Sequence, residues 1–308
     1  MRDAFVAALV SAAQSDEKIL LVTGDLGFGT FDPFVKAIPE RFINVGVAEQ
    51  NMIGVSTGLG LEGYKVFAYS IGNFSTLRCL EQIRNDAAYH EANLTIIGSG
   101  GGFTYGALGM SHHATEDLSI LRALPGITVV APCDAWETTQ AVTLLAAAKG
   151  VSYLRIEKQT PLRTGDLGIP FVLGKARRLR EGRDITIIGS GGVLAHADSV
   201  AQRLAERGLS ARVVSMHTLK PLDDAEILDA LRDTRAILTI EENTILGGLG
   251  GAVAEVIAES GRSVPFRRLG MQDVYSSVVG SQDYLRQYYG MGIDAILDAS
   301  LKLIARAA

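Results

Sequence analysis

The sequence predicts an α/β protein of two consecutive domains, each with a mostly parallel sheet and helices on both faces. Short apolar runs of strand type alternate with segments of helical periodicity along the 308 residues. A stretch rich in proline and glycine, from Gln159 to Gly174, interrupts this alternation and indicates a linker. We therefore expect a first domain over residues 1–165 and a smaller second domain over residues 166–308.

In the first domain, runs rich in β-branched residues predict strands, and segments with apolar residues every three or four positions predict helices. The predicted strands are 19–23, 42–45, 65–68, 94–98, 128–131 and 152–156. The predicted helices are 2–13, 49–61, 73–89, 116–122 and 135–148.

The second domain repeats the rhythm over a shorter length. Its predicted strands are 185–188, 211–215 and 236–240, and its predicted helices are 194–207, 224–231 and 250–259. A basic cluster near the boundary is expected to be a solvated edge rather than an anion site; it comprises Lys175, Arg177, Arg178, Arg180 and Arg183.

Composition narrows the classes of function. The net charge of −5 and the lack of a long basic run argue against a nucleic-acid partner. The longest apolar runs are too short to span a bilayer, and the N-terminus lacks the layout of a signal peptide. Two cysteines, Cys79 and Cys133, without metal-ligand spacing indicate a reducing compartment. We expect a cytoplasmic protein without a membrane partner.

Glu49 stands where the strand 42–45 passes into the helix 49–61, with no lysine or arginine within four residues on either side. Burying an ionised carboxylate without a partner costs several kcal/mol, so the group is solvated, protonated or held for a ligand. The junction alone favours an ordinary carboxylate near a helix N-terminus. The helix behind it carries Gly54 and Gly58 one turn apart, which indicates close approach of another backbone, within the chain or at a subunit contact.

Two further segments suggest a cleft. Ser111, His112 and His113 precede Glu116 and Asp117, but adjacent histidines rarely face one metal ion, so we predict no metal site and one hydrogen-bonding histidine. The glycine run 99–102 after the fourth strand is expected to be a mobile loop that lines the cleft.

Residues 41–52, Arg-Phe-Ile-Asn-Val-Gly-Val-Ala-Glu-Gln-Asn-Met, resemble the pyrimidine-binding domain of the transketolase family of thiamine-diphosphate enzymes. Family motifs follow in order at Asn73-Phe74-Ser75, Ser111-His112, 121–125 and 131–134. The stretches 220–223 and 241–248 resemble the C-terminal domain of 1-deoxyxylulose-5-phosphate synthase, so the similarity extends over nearly the whole chain.

The resemblance implies that Glu49, Phe74, Asp25 and Ile71 bind thiamine diphosphate. Glu49 would hydrogen-bond the pyrimidine ring nitrogen and favour the imino tautomer, whose exocyclic nitrogen removes the thiazolium C2 proton. Phe74 would stack on the aminopyrimidine. An apolar setting would keep the proton that Glu49 shares with the ring.

The resemblance also implies a ketose donor and an aldehyde acceptor, between which a two-carbon unit passes. His112 would hydrogen-bond the donor oxygen, and Arg2 and Arg155 align with family arginines that clamp a substrate phosphate. Leu108 and Gly100 stand where relatives place an aspartate and a histidine. Both changes remove polar contacts, which indicates an unusual donor or acceptor.

Full-length family members begin with a diphosphate-binding domain whose Gly-Asp-Gly and later Asn hold the metal. Here the nearest candidate, Gly24-Asp25-Leu26, lies where the pyrimidine domain has its own Asp-Leu pair. The chain therefore resembles the C-terminal half of a split transketolase. On this interpretation an N-terminal-half partner supplies Mg²⁺ or Ca²⁺ and the diphosphate site, and the two chains form a heterotetramer.

Three alternatives stay open at this point. The β-subunit of a 2-oxo acid dehydrogenase shares the layout and the glutamate, and Arg2 and Arg155 disfavour it. Half of a 1-deoxyxylulose-5-phosphate synthase is disfavoured by Asn51 and Leu108. A non-catalytic binding subunit would have no chemical need for Glu49, Phe74 and His112 together.

Overall fold

The structure, a computed structural model, describes residues 1–158 and 160–307. Its strands form one sheet of seven strands and one of five. Alternate residues of the first strand belong to different apolar clusters, with Leu20 and Val22 on one face and Ile19 and Leu21 on the other. A parallel sheet buried on both faces is typical of α/β proteins, and the predicted fold class is confirmed.

The strands alternate with helices along the chain. They are β1 (Ile19–Thr23), β2 (Phe42–Asn44), β3 (Lys65–Ile71), β4 (Leu94–Ser99), β5 (Ile127–Val130), β6 (Val151–Ile156), β7 (Arg177–Arg180), β8 (Ile185–Ser190), β9 (Ala211–Ser215), β10 (Thr218–Lys220), β11 (Ile237–Thr244) and β12 (Phe266–Met271). The first sheet has the order β10-β5-β6-β4-β3-β1-β2, and the second has the order β12-β11-β8-β9-β7.

The α-helices are α1 (Arg2–Ser15), α2 (Asp32–Ala37), α3 (Glu49–Leu61), α4 (Gly72–Ser75), α5 (Asp117–Ala123), α6 (Ala135–Ala147), α7 (Leu194–Ala205), α8 (Asp224–Asp233), α9 (Leu249–Glu259), α10 (Gln282–Tyr288) and α11 (Ile293–Arg306). Short 3₁₀ turns occur at Pro39–Arg41, Leu77–Cys79, Gly106–Leu108, Met110–His112 and Gly165–Leu167. Among the described residues, no helix combines the length and apolar character needed to cross a membrane.

One strand from beyond the predicted linker belongs to the first sheet. β10 pairs antiparallel with β5 of the first sheet, although it lies beyond the linker in sequence. β7 pairs antiparallel with β9 at the edge of the second sheet. Gln159, the first residue of the predicted linker, lies outside the described residues.

The single helix predicted over 73–89 is wrong. The chain forms the short α4, then the 3₁₀ turn, then a π-helix at Gln82–Ala88. Side chains occupy the backbone carbonyls that a continuous helix would use: Thr76 Oγ1 donates to Gly72 O at 2.6 Å, and Cys79 Sγ donates to Phe74 O at 3.1 Å. Such local hydrogen bonds compete with the helical ladder, and they leave an irregular segment after β3.

The glycine run 99–102 is buried rather than a mobile loop. A Cβ at Gly101 would lie 2.0 Å from Arg155 Nε, and one at Gly102 would lie 2.4 Å from Glu242 Oε1. These glycines let side chains of both domains close over the loop. In α3, by contrast, a Cβ at Gly54 or Gly58 would meet no atom of the described residues within 4 Å, so the predicted close approach within the chain is wrong at these two positions.

The basic cluster is not uniformly solvated, and the prediction is wrong for Arg177. Its side chain is fully buried and its Nη1 donates to Glu137 Oε1 at 2.9 Å and to Thr164 Oγ1 at 2.7 Å. The guanidinium also covers the ring of Trp136 at 4.3 Å. A buried arginine that is paired and fully hydrogen-bonded belongs to the core between the domains.

His217, just before β10, stacks on Phe171 with ring centroids 3.8 Å apart. Its Nδ1 lies 2.9 Å from Thr218 Oγ1. Burial, and secondarily the positive charge of Arg177, lower the pKa of His217 to about 3. The ring is therefore neutral in the folded chain at neutral pH, and protonating it opposes folding.

Replacing this ring tests its linkage to folding. The pKa of His217 is lower in the folded chain than in the unfolded chain. The stability that the neutral ring contributes is therefore fully present above pH 6.5 and is lost as the pH falls toward 3. His217→Asn removes this contribution, so its deficit in unfolding free energy relative to wild type should be smaller by roughly 2–3 kcal/mol at about pH 4.5 than at pH 7. Denaturant titrations at the two pH values measure it. Thr218→Ala, which keeps the ring, serves as the control, and an equal deficit of His217→Asn at both pH values contradicts the assignment.

Candidate active site

The carboxylate of Glu49 lies at the first residue of α3, beside the carboxyl ends of β1 and β3. Its side chain is only 2% exposed. Oε1 accepts a long hydrogen bond from Ser70 Oγ at 3.5 Å, and a Cβ at Gly24 would lie 3.3 Å from Glu49 Cγ. Main-chain and side-chain atoms therefore enclose the carboxylate on two sides.

The expectation that Glu49 has no cation partner is wrong. Arg78 Nη1 donates to Glu49 Oε2 at 2.6 Å, and the Arg78 side chain is 45% exposed. The two residues are 29 positions apart, so the pair could not be found by inspecting the neighbours of Glu49 in sequence. The 3₁₀ turn after α4 brings the guanidinium over the carboxylate.

Phe74 and His112 lie at the same place. The Arg78 Cζ atom is 4.4 Å from the centroid of the Phe74 ring, a cation–π distance. The rings of Phe74 and His112 are 5.2 Å apart at an interplanar angle of 63°. The structure therefore brings together three residues that the sequence predicts, Glu49, Phe74 and His112, and adds Arg78 to them.

The histidine pair divides into one buried and one half-buried ring. His112 Nδ1 lies 3.0 Å from Ser111 Oγ, and the ring is half-buried. His113 is buried with its Nε2 3.3 Å from Gly106 O, and burial lowers its pKa. Of the two, His112 is the ring next to Phe74. Within residues 1–158 and 160–307, no group of three or more acidic, histidine or cysteine side chains is arranged to hold a metal.

Asp25 and Ile71 stand at the ends of neighbouring strands. Asp25 follows β1 with φ 56°; its main-chain N–H donates to Asn44 Oδ1 at 3.0 Å, and Asn44 Nδ2 donates to Asp25 Oδ1 at 2.9 Å. Ile71 is the half-buried last residue of β3. Because the carboxyl ends of parallel strands share an edge of the sheet, both lie on the side that carries Glu49.

The two arginines inferred to clamp a phosphate have different surroundings. Arg155 is 3% exposed; its Nη1 lies 3.3 Å from Asp117 Oδ1, and its Nη2 donates to Glu242 O at 2.7 Å. The charge of Arg155 is thus neutralised inside the chain, and its contact with a substrate phosphate stays a prediction. Arg2 is half-buried at the start of α1, near the Tyr69 hydroxyl; burial raises the pKa of that hydroxyl, and the charge of Arg2 opposes the rise in smaller part.

Arg78 is the functional residue that sequence reasoning missed. It lies four positions after Phe74 in a stretch of predicted helix, and residues at that spacing share a helix face. That spacing could have linked Arg78 to Phe74. Nothing in the sequence links it to Glu49.

Comparison with known proteins decides the family. Residues 1–161 match the model of the transketolase pyrimidine binding domain, and residues 174–296 match that of the transketolase C-terminal domain. The chain belongs to the transketolase family.

Several relatives of this transketolase-family chain are separate subunits of similar length. A subunit of the apulose-4-phosphate transketolase of Phocaeicola vulgatus is 37% identical over 99% of this chain and 97% of its own. The 6-deoxy-6-sulfo-D-fructose transketolase subunit SqwH of a Clostridium species is 36% identical over 99% and 95%. A solved structure described as a split gene transketolase, inactive beta4 tetramer, has TM-score 0.92 at 36% identity and covers 100% of this chain and 99% of its own. The chain thus matches the C-terminal subunit of split transketolases and is a subunit of a transketolase-type transferase.

Thiamine diphosphate is the cofactor that the family implies, and the residues present fit its aminopyrimidine. The Glu49 carboxyl is shielded from water, as a hydrogen bond to a ring nitrogen requires, and the Phe74 ring next to it offers a stacking surface. A glycine at position 24 leaves room for the Glu49 side chain.

The assignment of Arg155 to the domain interface is testable by stability. Arg155→Met leaves the fully buried Asp117 without its cation, so we expect the isolated chain to lose about 3 kcal/mol or more of unfolding free energy. Denaturant unfolding measures the loss. Arg203→Met, at an ion pair with Asp294 in which both side chains are largely exposed, is the comparison variant and should cost about 1 kcal/mol or less. If Arg155→Met is as stable as wild type, Arg155 does not hold the domain interface together, and a ligand-binding role is favoured instead.

Proposed function

We propose that the chain is the C-terminal subunit of a split thiamine-diphosphate-dependent transketolase, which moves a two-carbon ketol unit from a ketose donor to an aldehyde acceptor. The observation that carries the proposal is the buried Glu49 carboxyl beside Phe74 and His112. The full-length relatives named as transketolase subunits favour this reaction over oxidative decarboxylation and over a single-chain synthase.

In this proposal Glu49 controls the position of one proton, the one between its carboxyl group and the pyrimidine ring nitrogen. When bound, thiamine diphosphate supplies the nucleophilic carbon that carries the two-carbon fragment between substrates. The Glu49 carboxyl shares a proton with the pyrimidine ring nitrogen and so sets the tautomer of the ring. The carboxyl is enclosed by Ser70, Gly24 and the turn that bears Arg78, so water does not compete for this hydrogen bond.

Phe74 and His112 orient the reactants. Phe74 presents its ring next to Glu49, which fixes the plane of a stacked aminopyrimidine. His112 lies at the edge of that ring and is half-buried, so one imidazole nitrogen can donate to the substrate oxygen on which charge develops. Its other nitrogen, Nδ1, is within hydrogen-bond distance of Ser111 Oγ.

The other half of the site is assigned to a partner chain. We infer that an N-terminal-half subunit holds the diphosphate and its Mg²⁺ or Ca²⁺, and that the chains assemble as a heterotetramer. Large apolar side chains are exposed in the loops after β1, β2 and β4, on the side of the sheet that carries Glu49; these are Phe28, Val47, Leu108 and Met110. Exposed apolar residues around a buried carboxyl support a protein partner at this edge.

The substrate contacts depart from a sugar-phosphate pattern. Leu108 is 57% exposed, so an apolar side chain stands where the family resemblance implies a carboxylate. At Gly100 φ is +83° and a Cβ would lie 2.0 Å from the Tyr105 ring, so a histidine does not fit this backbone. We propose a sugar or sugar-derived substrate with fewer polar contacts at this end, and retain Arg2 as the candidate for a phosphate. The location of the protein in the cytoplasm stays a prediction.

The split-enzyme proposal predicts that the purified chain alone has negligible thiamine-diphosphate-dependent ketol transfer. Addition of an N-terminal-half subunit with the Gly-Asp-Gly and Asn pattern should produce turnover, measured as aldehyde release from a panel of ketoses. Turnover by the chain alone would contradict the need for a partner.

The role of Glu49 is tested in the reconstituted complex. Glu49→Gln cannot share its proton with the ring, so we expect exchange of the cofactor C2 proton for deuterium to slow by about 10²–10⁴-fold. Quenched-flow NMR of the cofactor measures this rate directly. Glu62→Gln, an exposed change just after the other end of α3, is the matched control. Unchanged exchange in Glu49→Gln overturns the role given to this residue.

A further inference from the structure

The guanidinium of Arg78 already makes both contacts that the aminopyrimidine requires. It is hydrogen-bonded to Glu49 Oε2 at 2.6 Å, and its Cζ atom lies 4.4 Å from the Phe74 centroid. We propose that Arg78 occupies the aminopyrimidine subsite of the partner-free chain and leaves it when the cofactor binds. This inference rests on the proposed function of Glu49 and Phe74.

Shape and chemistry make Arg78 a substitute for the ring. A guanidinium is planar, carries N–H donors at its edge and stacks on aromatic faces. An aminopyrimidine is also planar and also directs an N–H group at its edge. A flat ring that both stacks on Phe74 and reaches the Glu49 carboxyl needs the space that this guanidinium fills.

The three groups differ in their freedom to move. Glu49 is 2% exposed and Arg78 is 45% exposed, so Arg78 can turn into solvent without opening the core. The turn beneath it is held by its own hydrogen bonds, from Thr76 Oγ1 to Gly72 O and from Cys79 Sγ to Phe74 O. Departure of the side chain therefore leaves Glu49 and Phe74 in place.

The exchange also changes the proton balance. When it is paired with Arg78, the Glu49 carboxylate acts only as a hydrogen-bond acceptor. The pyrimidine ring nitrogen is also an acceptor, so the two can be hydrogen-bonded to each other only if one proton is added between them. The Cys79 thiol also faces Glu49, but burial raises its pKa to about 12, and the Ser70 hydroxyl and Gly24 on the neighbouring strands are uncharged. We expect the proton to come from solution as Arg78 leaves.

Binding of unphosphorylated thiamine to the isolated full chain tests the occupied subsite. A site that Arg78 occupies most of the time binds thiamine only in the small fraction of molecules in which it is open, and the apparent affinity falls in proportion. Arg78→Met should therefore lower the dissociation constant about tenfold or more. Arg78→Lys keeps a cation for Glu49 but loses the planar stack, so its gain should be smaller. Arg84→Met, an exposed arginine of the π-helix, should bind as wild type does.

Ligand-observed NMR measures these affinities, and circular dichroism confirms that each variant is folded. Arg78→Met or Arg78→Lys binding no tighter than wild type overturns the inference; if Arg78→Met does not fold, the Arg78→Lys result decides. Glu49→Gln added to Arg78→Met should remove the gain, because the gain depends on the freed carboxyl.

Calorimetry of cofactor binding gives an independent readout in the reconstituted complex. The cofactor should bind Arg78→Met more tightly than wild type, because no ion pair has to be broken before the ring enters. Equal affinity in both contradicts the inference. If this test fails while Glu49→Gln still slows deuterium exchange at the cofactor C2, only the displacement of Arg78 is refuted. If Glu49→Gln leaves deuterium exchange at C2 unchanged, the proposed function itself is refuted.

Discussion

The rest of the site depends on how one buried carboxylate is satisfied. Glu49 is enclosed at the start of α3, and a buried charge without a partner is strongly unfavourable. The chain meets this requirement with a side chain from the irregular segment after β3, where local hydrogen bonds end α4 early and turn Arg78 back over the carboxylate. The same turn sets Phe74 beside it. Folding of this segment therefore also positions the side chains of the proposed cofactor subsite.

Much of the fold follows from local pattern. Strands buried on both faces appear as continuous apolar runs, so β1 and β9 are predicted to the residue, and α3 is predicted with both its ends. The position of Glu49 at a strand-to-helix junction follows from the same pattern. No element is predicted beyond residue 259, although α11 carries an apolar stripe of helical spacing that suffices to indicate it. β12 is obscured because two arginines interrupt its short apolar run.

Three of the misses share a physical cause: each depends on a contact between distant parts of the chain. Arg178 and its neighbours look like a solvated edge, yet Arg177 enters the core because Glu137, 40 positions earlier, lies there as its partner. Glu49 looks unpaired because Arg78 is 29 positions away. β10 joins the first sheet only because the chain crosses back to β5 directly after β9 of the second sheet. Local periodicity contains no information on such pairings.

The junction between the domains holds the edge of the first sheet that carries the candidate site. Arg155 near the end of β6 binds Asp117 and the main chain of Glu242, while Arg286 of α10 lies 3.0 Å from Glu157, beyond the same strand. These charges are buried, so removing one of them leaves its partner buried without a counter-charge. The domains therefore cannot slide past each other without separating ion pairs. The glycine run 99–102 fits under this network only because its glycines have no side chains. The second domain thereby holds the carboxyl edge of the first sheet, and with it the loop that bears His112, in a fixed position relative to Glu49.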